Sequence, residues 1–334
     1  MKIKDLSAQT GYSVGTVSRV LNNQPNVSEK ARAAILAAAK ASGFQLNANA
    51  KQLKQQHSNS ILVVVKGTSN EFFSSLVEAI QARMAQTPHP LIVDYIDEDS
   101  NEVLRAVQLC REKKPLGVLF LGANRQNLLA DFEKIKVPCV VVTNSAEGLD
   151  FPNLNSVASD DRAATRMAID AMVEMGHRKF AVIGGEYTVS LTARQRYLGC
   201  QEAFRAHDIS FDEKDYEAVR FSYADGYRAA ERLLESGRGF TALFAMADVM
   251  AIGAIRALAD HGLQVPEDVS VMGFDGLKIG DYTVPKLATV RQDVTALAEE
   301  SIRILLENIA ELRAPRYETV PVSVELKESA RALK

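Results

Sequence analysis

The chain has 334 residues, a formal net charge of −3 and three cysteines. Three cysteines, no secretory signal and no apolar run of about 18 residues argue against a disulfide framework and a membrane-spanning segment. The same features indicate a reducing, cytoplasmic location.

The charge is divided unevenly along the chain. The first 57 residues carry eight Lys/Arg and two acidic residues, a net +6, whereas the other 277 carry 31 and 40, a net −9. A basic segment joined to an acidic body indicates nucleic acid or another polyanion as the partner of the basic end. Charge alone does not separate DNA from RNA or a membrane, so the pattern within the segment has to decide.

Three short helices are predicted in the basic segment, at 3–10, 14–21 and 29–42. Gly11 follows the first helix, where a left-handed residue would end it. Ser13 and Ser28 are good caps for the second and third helices. Three helices in about 45 residues, with a polar second helix, form the layout of a major-groove reader.

The second predicted helix has two faces. Val17, Val20 and Leu21 are spaced to pack on Leu6, which would give a helix-turn-helix pair. The opposite face carries Val14, Gly15, Ser18, Arg19 and Asn22. DNA binding is one interpretation of this polar face, and the solvated side of a small helical bundle is the other.

The amino-acid sequence of this segment favours DNA binding. The run VGTVSRVLN at 14–22, followed by Asn26, Val27 and Ser28, closely resembles the DNA-binding headpiece of the lac repressor/purine repressor (LacI/GalR) family. The resemblance implies that base or phosphate contacts come from Val14, Gly15, Thr16, Ser18, Arg19, Asn22 and Asn47.

A linker rich in Asn, Gln and Lys follows at 47–59, and Leu53 is its only large apolar residue. On its own, this stretch reads as a solvated linker or as a helix too short to persist in water. The resemblance implies a hinge helix that orders on operator DNA and inserts Leu53 into the minor groove. An apolar wedge of this kind costs a few kcal/mol of unstacking, which contacts to the bent DNA offset.

Beyond residue 60, short apolar runs alternate with amphipathic helical patterns. Such alternation predicts parallel sheets covered on both faces, and the number of units predicts two α/β lobes. Strands are predicted at 61–65, 91–95, 117–121, 139–142, 180–183, 243–245, 269–274 and 288–290, with a terminal strand pair at 318–326. The stretch after the strand at 139–142 is predicted to be irregular up to a helix at 161–175.

The resemblance to the lac repressor/purine repressor family extends through this body. It rests on residues 160–163, 175–178, 196–199, 247–251 and 273–275. It implies a core similar to periplasmic sugar-binding proteins, with three crossovers near 159, 291 and 322. The expected organisation is a headpiece at 1–46, a hinge at 47–59 and a core at 60–334. Lobe one would be about 60–159 plus 292–322, and lobe two about 160–291 plus 323–334.

Six residues are candidates for an effector site, because ligands bind at the carboxyl ends of strands in such sheets. Arg196 follows a strand and could offer a bidentate fork to hydroxyls, although a surface arginine is the alternative. Asp275 ends a strand and could accept hydrogen bonds from a ligand or cap a turn. The resemblance favours the binding role for both.

Two aromatic and two polar side chains complete the candidate set. Phe72 and Phe221 could stack on a sugar ring or be plain core. Asp248 fits a helix cap as well as a ligand contact, and Thr192 could do both. The resemblance favours a carbohydrate effector, with a purine as the second alternative.

No constellation for catalysis, metal binding or a cofactor is apparent. The five histidines form no metal spacing with cysteine, and the chain has no P-loop and no Gly-x-Ser-x-Gly. An enzyme is therefore not expected, and the resemblance to the lac repressor/purine repressor family implies a homodimeric transcription regulator, expected to be a repressor. Its expected partners are near-palindromic operator DNA and a small effector, and a phosphocarrier co-regulator stays open. The alternative is a two-lobe carbohydrate-binding protein without a gene-regulatory role.

Overall fold

The computed structural model describes residues 3–21, 25, 27–42, 58–68 and 70–333. The chain divides into two compact units, Met1–Gln56 and His57–Lys334, called here the headpiece and the core. The predictions for Asn22, Asn47, Leu53 and the hinge at 47–57 lie outside the described residues.

Polar caps and a left-handed glycine define the helices of the headpiece, which are α1 (Ile3–Thr10), α2 (Val14–Leu21) and α3 (Glu29–Ala41). Gly11 has φ +73°, the left-handed conformation that ends α1 at little cost for a glycine. The Oγ of Ser13 accepts from the backbone N–H of Thr16 at 3.2 Å, and the Oγ of Ser28 accepts from that of Ala31 at 3.4 Å. The three predicted helix boundaries are confirmed to within one residue.

A small apolar cluster holds the three helices together. Its buried members are Leu6 from α1, Val17 and Val20 from α2, and Ile35 and Ala39 from α3. This cluster confirms that the apolar face of α2 packs on α1, so the polar face of α2 points away from the headpiece core.

Strands and helices alternate through the core. The first half contains β1 (Ile61–Lys66), α4 (Glu71–Met84), β2 (Leu91–Ile96), α5 (Glu102–Lys113), β3 (Gly117–Leu121), α6 (Arg125–Asp131), β4 (Cys139–Val142) and β5 (Leu154–Ala158). The second half contains α7 (Asp161–Glu174), β6 (Phe180–Gly184), α8 (Leu191–Ala206), β7 (Tyr216–Ala218), α9 (Tyr223–Glu235), β8 (Ala242–Ala245), α10 (Asp248–Asp260), β9 (Ser270–Asp275), β10 (Ala288–Gln292), α11 (Val294–Ala310), β11 (Tyr317–Thr319) and β12 (Val322–Glu325).

Within the described residues these strands form two six-stranded sheets. The sheet of lobe one has the order β11-β5-β4-β3-β1-β2 and is parallel throughout. The sheet of lobe two has the order β12-β10-β9-β8-β6-β7, in which only β12 runs antiparallel to its neighbour. Parallel sheets of this kind need helices on both faces.

Successive side chains of β1 pack in two different apolar clusters, which explains why its sequence is a continuous apolar run. Ile61, Val63 and Val65 pack in the cluster that includes α4, whereas Leu62 and Val64 pack in the cluster that includes α5. All five side chains are buried, so neither face of the strand can be polar. The predicted sheet covered on both faces is confirmed.

The structure corrects three details of the predicted element order. β5 lies inside the stretch predicted to be irregular, and the short strand β7 was not predicted. The two terminal strands do not pair with each other: β11 pairs with β5 in lobe one and β12 with β10 in lobe two. Strands of three to five residues carry too little pattern to be recognised without their neighbours.

The chain passes between the lobes three times, after β5, after β10 and after β11. In each lobe the carboxyl ends of the parallel strands lie along one edge of the sheet, where ligands bind in sheets of this type. The core therefore has the two-lobe α/β architecture that its sequence predicts.

Two glycines set the close approach of α9 and α10 in lobe two. A Cβ on Gly253 would overlap the backbone carbonyl of Tyr223, and a Cβ on Gly226 would overlap the carbonyl of Met250. Because each clash is with backbone, no side-chain rotation can relieve it. The two helices would have to move apart.

We predict that Gly253→Ala lowers the free energy of unfolding by about 1–3 kcal/mol, the usual cost of overpacking a buried contact. Urea denaturation of the full chain would measure the change. Ala259→Ser, at an exposed position on the same helix, should be nearly neutral. Equal stability of the Gly253 variant and the wild type would show that the helix contact is loose.

Candidate functional site

A cavity of about 650 Å³ lies between the two lobes, at the carboxyl ends of their strands. Lobe one contributes residues that directly follow its strands, such as Gly67 after β1, Asp97 after β2 and Gly122 after β3. Lobe two contributes Gly185 after β6 and Asp275 at the end of β9. The topology thus brings polar side chains and backbone from both sheets to one place.

Arg196, in the second turn of α8, is held at the cavity by the protein itself. Its side chain is 4% exposed. Its Nε donates to Asp161 Oδ1 at 2.8 Å, and its Nη1 donates to the carbonyl oxygen of Met246. The guanidinium carbon lies 3.6 Å from the ring centroid of Phe274, and Nη2 lies 3.5 Å from Asp275 Oδ1. Two of its three nitrogens are therefore committed to the fold.

Asp275 is buried and has an uncommon backbone conformation. Its φ is +112°, a region that non-glycine residues rarely adopt and that is concentrated at functional sites. Gln292, at the end of β10, donates from Nε2 to Asp275 Oδ1 at 2.9 Å. Burial raises the pKa of Asp275 to about 7, although the Arg196 guanidinium acts to lower it. The side chain therefore titrates near neutral pH.

Thr192 joins the two lobes through a residue that the sequence analysis missed. Its Oγ1 donates to Asn144 Oδ1 at 2.8 Å, and Asn144 Nδ2 donates to the carbonyl oxygen of Ala123 at 2.7 Å. Asn144 follows β4 and is buried, and both Thr192 and Asn144 line the cavity. A polar residue two positions after a buried strand was the available signal.

The two predicted aromatic residues line the cavity from opposite lobes. Phe72 is only 5% exposed and packs mainly in the core, whereas its neighbour Phe73, which was not predicted, is half-buried at the same surface. Phe221 packs against Gly185, where an added Cβ would come within 2.6 Å of the ring. Gly185 therefore provides the space that Phe221 occupies.

The prediction that Asp248 contacts an effector is corrected by its geometry. Asp248 is fully buried and is not among the residues lining the cavity. Its carboxylate accepts from the backbone N–H of Leu277 and from Thr289 Oγ1, both at 2.6 Å. Burial, followed by the nearby Asp275, raises its pKa to about 8. Asp248 positions the loop after β9 and does not face the cavity.

Lys66 and Glu102 form a buried ion pair that the sequence did not reveal. Lys66 Nζ lies 2.6 Å from Glu102 Oε2, and the side chain of Glu102 is fully buried. Glu102 also accepts from the backbone N–H of Asn124 and from Asn127 Nδ2. Lys66 lines the cavity, and its partner ties three strand-to-helix connections of lobe one together.

The headpiece presents the predicted reading face of α2 to solvent. Val14, Gly15 and Arg19 are exposed, and Thr16 and Ser18 are half-buried. Arg19 is the long cationic side chain of this face.

In the described part of the chain, no three or more His, Cys, Asp or Glu side chains are grouped to hold a metal ion. No described helix is both long and apolar enough to span a membrane.

A helix-turn-helix headpiece joined to a two-lobe core with an interlobe cavity defines a ligand-controlled DNA-binding regulator. Residues 2–47 match the family "Bacterial regulatory proteins, lacI family", and residues 144–330 match "Periplasmic binding protein-like domain". The chain is 32% identical to the HTH-type transcriptional regulator MalR of Clostridium butyricum over 314 residues, 92% of this chain and 93% of that protein.

Solved structures agree over nearly the whole chain. The lac repressor dimer bound to operator and the anti-inducer ONPF superposes with a TM-score of 0.83, at 26% identity over 99% of both chains. The transcriptional regulator CelR in complex with cellobiose gives 0.73, at 25% identity over 99% of this chain and 100% of that one. The chain therefore belongs to the lacI family of bacterial regulatory proteins. The predicted family, fold class and role as a transcription regulator are confirmed. The relative MalR is a transcriptional regulator and not an enzyme.

Because the pKa of Asp275 is raised in the folded protein, the free energy of unfolding should depend on pH. Its carboxyl has a pKa near 4 in an unfolded chain, so proton binding favours the folded state. This contribution is complete below about pH 4 and is lost as the pH rises through 7. Between pH 5 and 8, the wild type should lose about 2–3 kcal/mol of unfolding free energy relative to Asp275→Asn. Urea denaturation at four pH values would measure it.

Asp150→Asn is the matched control for that experiment, because it removes an exposed carboxylate of lobe one. Its stability profile should run parallel to that of the wild type. If the Asp275→Asn profile also runs parallel to the wild type, the Asp275 carboxyl does not titrate in this range.

Proposed function

We propose that the chain is a homodimeric repressor of transcription whose affinity for a near-palindromic operator depends on a sugar bound in the interlobe cavity. The observation that carries the proposal is the convergence of strand ends from both lobes on one cavity with hydrogen-bonding groups on each side. A ligand that fills this space must contact both lobes and can therefore bias their arrangement.

The proposed DNA-reading surface is the exposed face of α2. Val14, Gly15 and Arg19 would lie in the major groove, with Thr16 and Ser18 beside them. An arginine can donate two hydrogen bonds to a guanine edge, whereas the small residues around it allow close approach of the helix. Asn22, Asn47 and the wedge Leu53 belong to the proposal as well, although they lie outside the described residues.

The proposed effector site combines the side chains of both lobes. Asp275 and Arg196 would bind hydroxyl groups, Thr192 and Asn144 would add neutral hydrogen bonds, and Phe221 would cover a ring face. Phe72 contributes apolar surface to the lining. The similar fold of CelR, whose structure is a complex with cellobiose, supports a sugar as the class of effector.

A dimer is required because each headpiece can read one half-site. The loop between β9 and β10 exposes three large apolar side chains in lobe two: Ile279 is 43% exposed, Tyr282 77% and Val284 93%. Neighbouring exposed apolar side chains of this size favour a protein contact surface. We assign this loop to the contact with a second copy of the chain, in keeping with the lac repressor dimer.

The domain organisation follows the same proposal. Residues 1–46 would form the DNA-binding headpiece, 47–59 the hinge and 60–334 the effector-binding and dimerisation core. Binding of operator DNA implies a cytoplasmic location. The proposal needs no phosphocarrier co-regulator, because the cavity and the dimer account for control.

The function is tested by selecting operator fragments from random DNA with the full chain and then titrating one of them by fluorescence anisotropy. We expect a free sugar from a screened panel to change operator affinity by about 5–150-fold, the usual range of allosteric coupling. Sugar binding without any specific DNA binding would instead favour a carbohydrate-binding protein that has no regulatory role.

Arg19→Ala tests the proposed reading surface. The variant should lose about 1–3 kcal/mol of binding free energy on the selected operator, and little on random DNA, because a base contact carries discrimination. Anisotropy titrations on both DNAs at one salt concentration would measure the difference. Lys30→Ala, at an exposed cation of α3, is the control and should not change the ratio. An equal loss on both DNAs would mean that Arg19 only touches phosphate.

A further inference from the structure

Each cationic side chain in the described lining of the cavity is already paired with a carboxylate. The pairs are Lys66 with Glu102, Arg196 with Asp161, and Arg220 with Glu98 and Asp99. A phosphate group is normally bound by arginine, lysine or backbone N–H groups that are free to receive it. The charge of each of these three cations is therefore already balanced by a carboxylate, with which a phosphate group would have to compete.

Carboxylates outnumber cations in the same lining. The lining carboxylates are Asp97, Glu98, Asp99, Glu186, Asp225 and Asp275. Several of them lie close to Arg220, because Arg220 is paired with Glu98 and Asp99, and both Asp97 and Asp225 act electrostatically on Glu98. A dianionic phosphate entering there would meet like charges, which disfavour its binding.

Arg220 is the cation that a phosphorylated ligand would most easily reach. It follows β7 in lobe two, and its side chain is 56% exposed. Its Nε lies 2.8 Å from Glu98 Oε1, and its Nη2 is paired with Asp99, both of which follow β2 in lobe one. The two carboxylates neutralise Arg220 and at the same time link the two lobes through exposed ion pairs.

We propose that Glu98 and Asp99 are specificity-determining residues, which occupy Arg220 so that the cavity accepts an uncharged sugar and rejects its phosphate ester. This inference rests on the proposed function, in which the cavity binds a sugar effector. Specificity here comes from repulsion of the wrong ligand and not from an added contact to the right one.

The experiment compares the full-length wild type with Glu98→Gln/Asp99→Asn, which removes both charges and leaves Arg220 free. Inorganic phosphate is the first probe and glucose 6-phosphate the second, each measured by thermal shift and calorimetry with NaCl matching the ionic strength. We expect no detectable phosphate binding by the wild type at the highest concentration used. The variant should bind phosphate at a concentration at least about tenfold lower.

Two controls locate the effect. Glu133→Gln/Asp150→Asn removes the same number of charges from exposed positions of lobe one outside the cavity and should not gain phosphate binding. Adding Arg220→Ala to the Glu98/Asp99 variant should abolish the gain. If the double variant fails to fold, Asp99→Asn alone, at a side chain that is 73% exposed, replaces it.

Three results would overturn the proposal: stabilisation of the wild type by either phosphate probe, no gain in the folded variant, or a gain that survives Arg220→Ala. The outcome is independent of the test of function. If no free sugar changes operator affinity, the sugar-responsive repressor is wrong, whereas the phosphate comparison still decides what Glu98 and Asp99 do.

Discussion

The buried guanidinium of Arg196 is the interaction on which lobe two and its ligand site both depend. It connects Asp161 at the start of α7, the carbonyl of Met246 after β8 and Asp275 at the end of β9, and it lies on the ring of Phe274. Removing one partner of a buried ion pair typically costs about 3–5 kcal/mol, since the remaining charge is left in a site of low polarity. Arg196, which the sequence predicts as a ligand contact, therefore also stabilises lobe two.

The strained conformation of Asp275 follows from this arrangement. Its carboxylate is held between Arg196 and Gln292, and Gln292 is the last residue of β10, next to the second crossover to lobe one. A non-glycine residue at φ +112° persists only when its surroundings determine it. A ligand that binds Asp275 therefore acts on a side chain linked directly to a connection between the lobes.

How much of this could be read from the sequence differs between local and interlobe features. Periodicity and caps predicted α1, α2 and α3 because the pattern of a helix lies in consecutive residues. Asp275 was found because it lies in a recognisable motif at a strand end, and Arg196 because it lies in a recognisable motif of the helix that follows β6. Pairs such as Thr192–Asn144 and Arg220–Glu98 join distant segments across a cleft, and no local pattern encodes which of many polar residues will meet.

These interlobe pairs place the control of lobe arrangement at the cavity. Thr192 donates to Asn144, Arg220 pairs with Glu98, and Tyr223 donates from its hydroxyl to Glu71 Oε1 at 2.6 Å. The two exposed contacts, Arg220–Glu98 and Tyr223–Glu71, are each worth little alone, typically about 1 kcal/mol or less. Arrangements that differ by such small amounts can be shifted by a ligand of modest differential affinity. The polar contacts between the lobes thus differ from the packing within each lobe, because a ligand in the cavity can outweigh them.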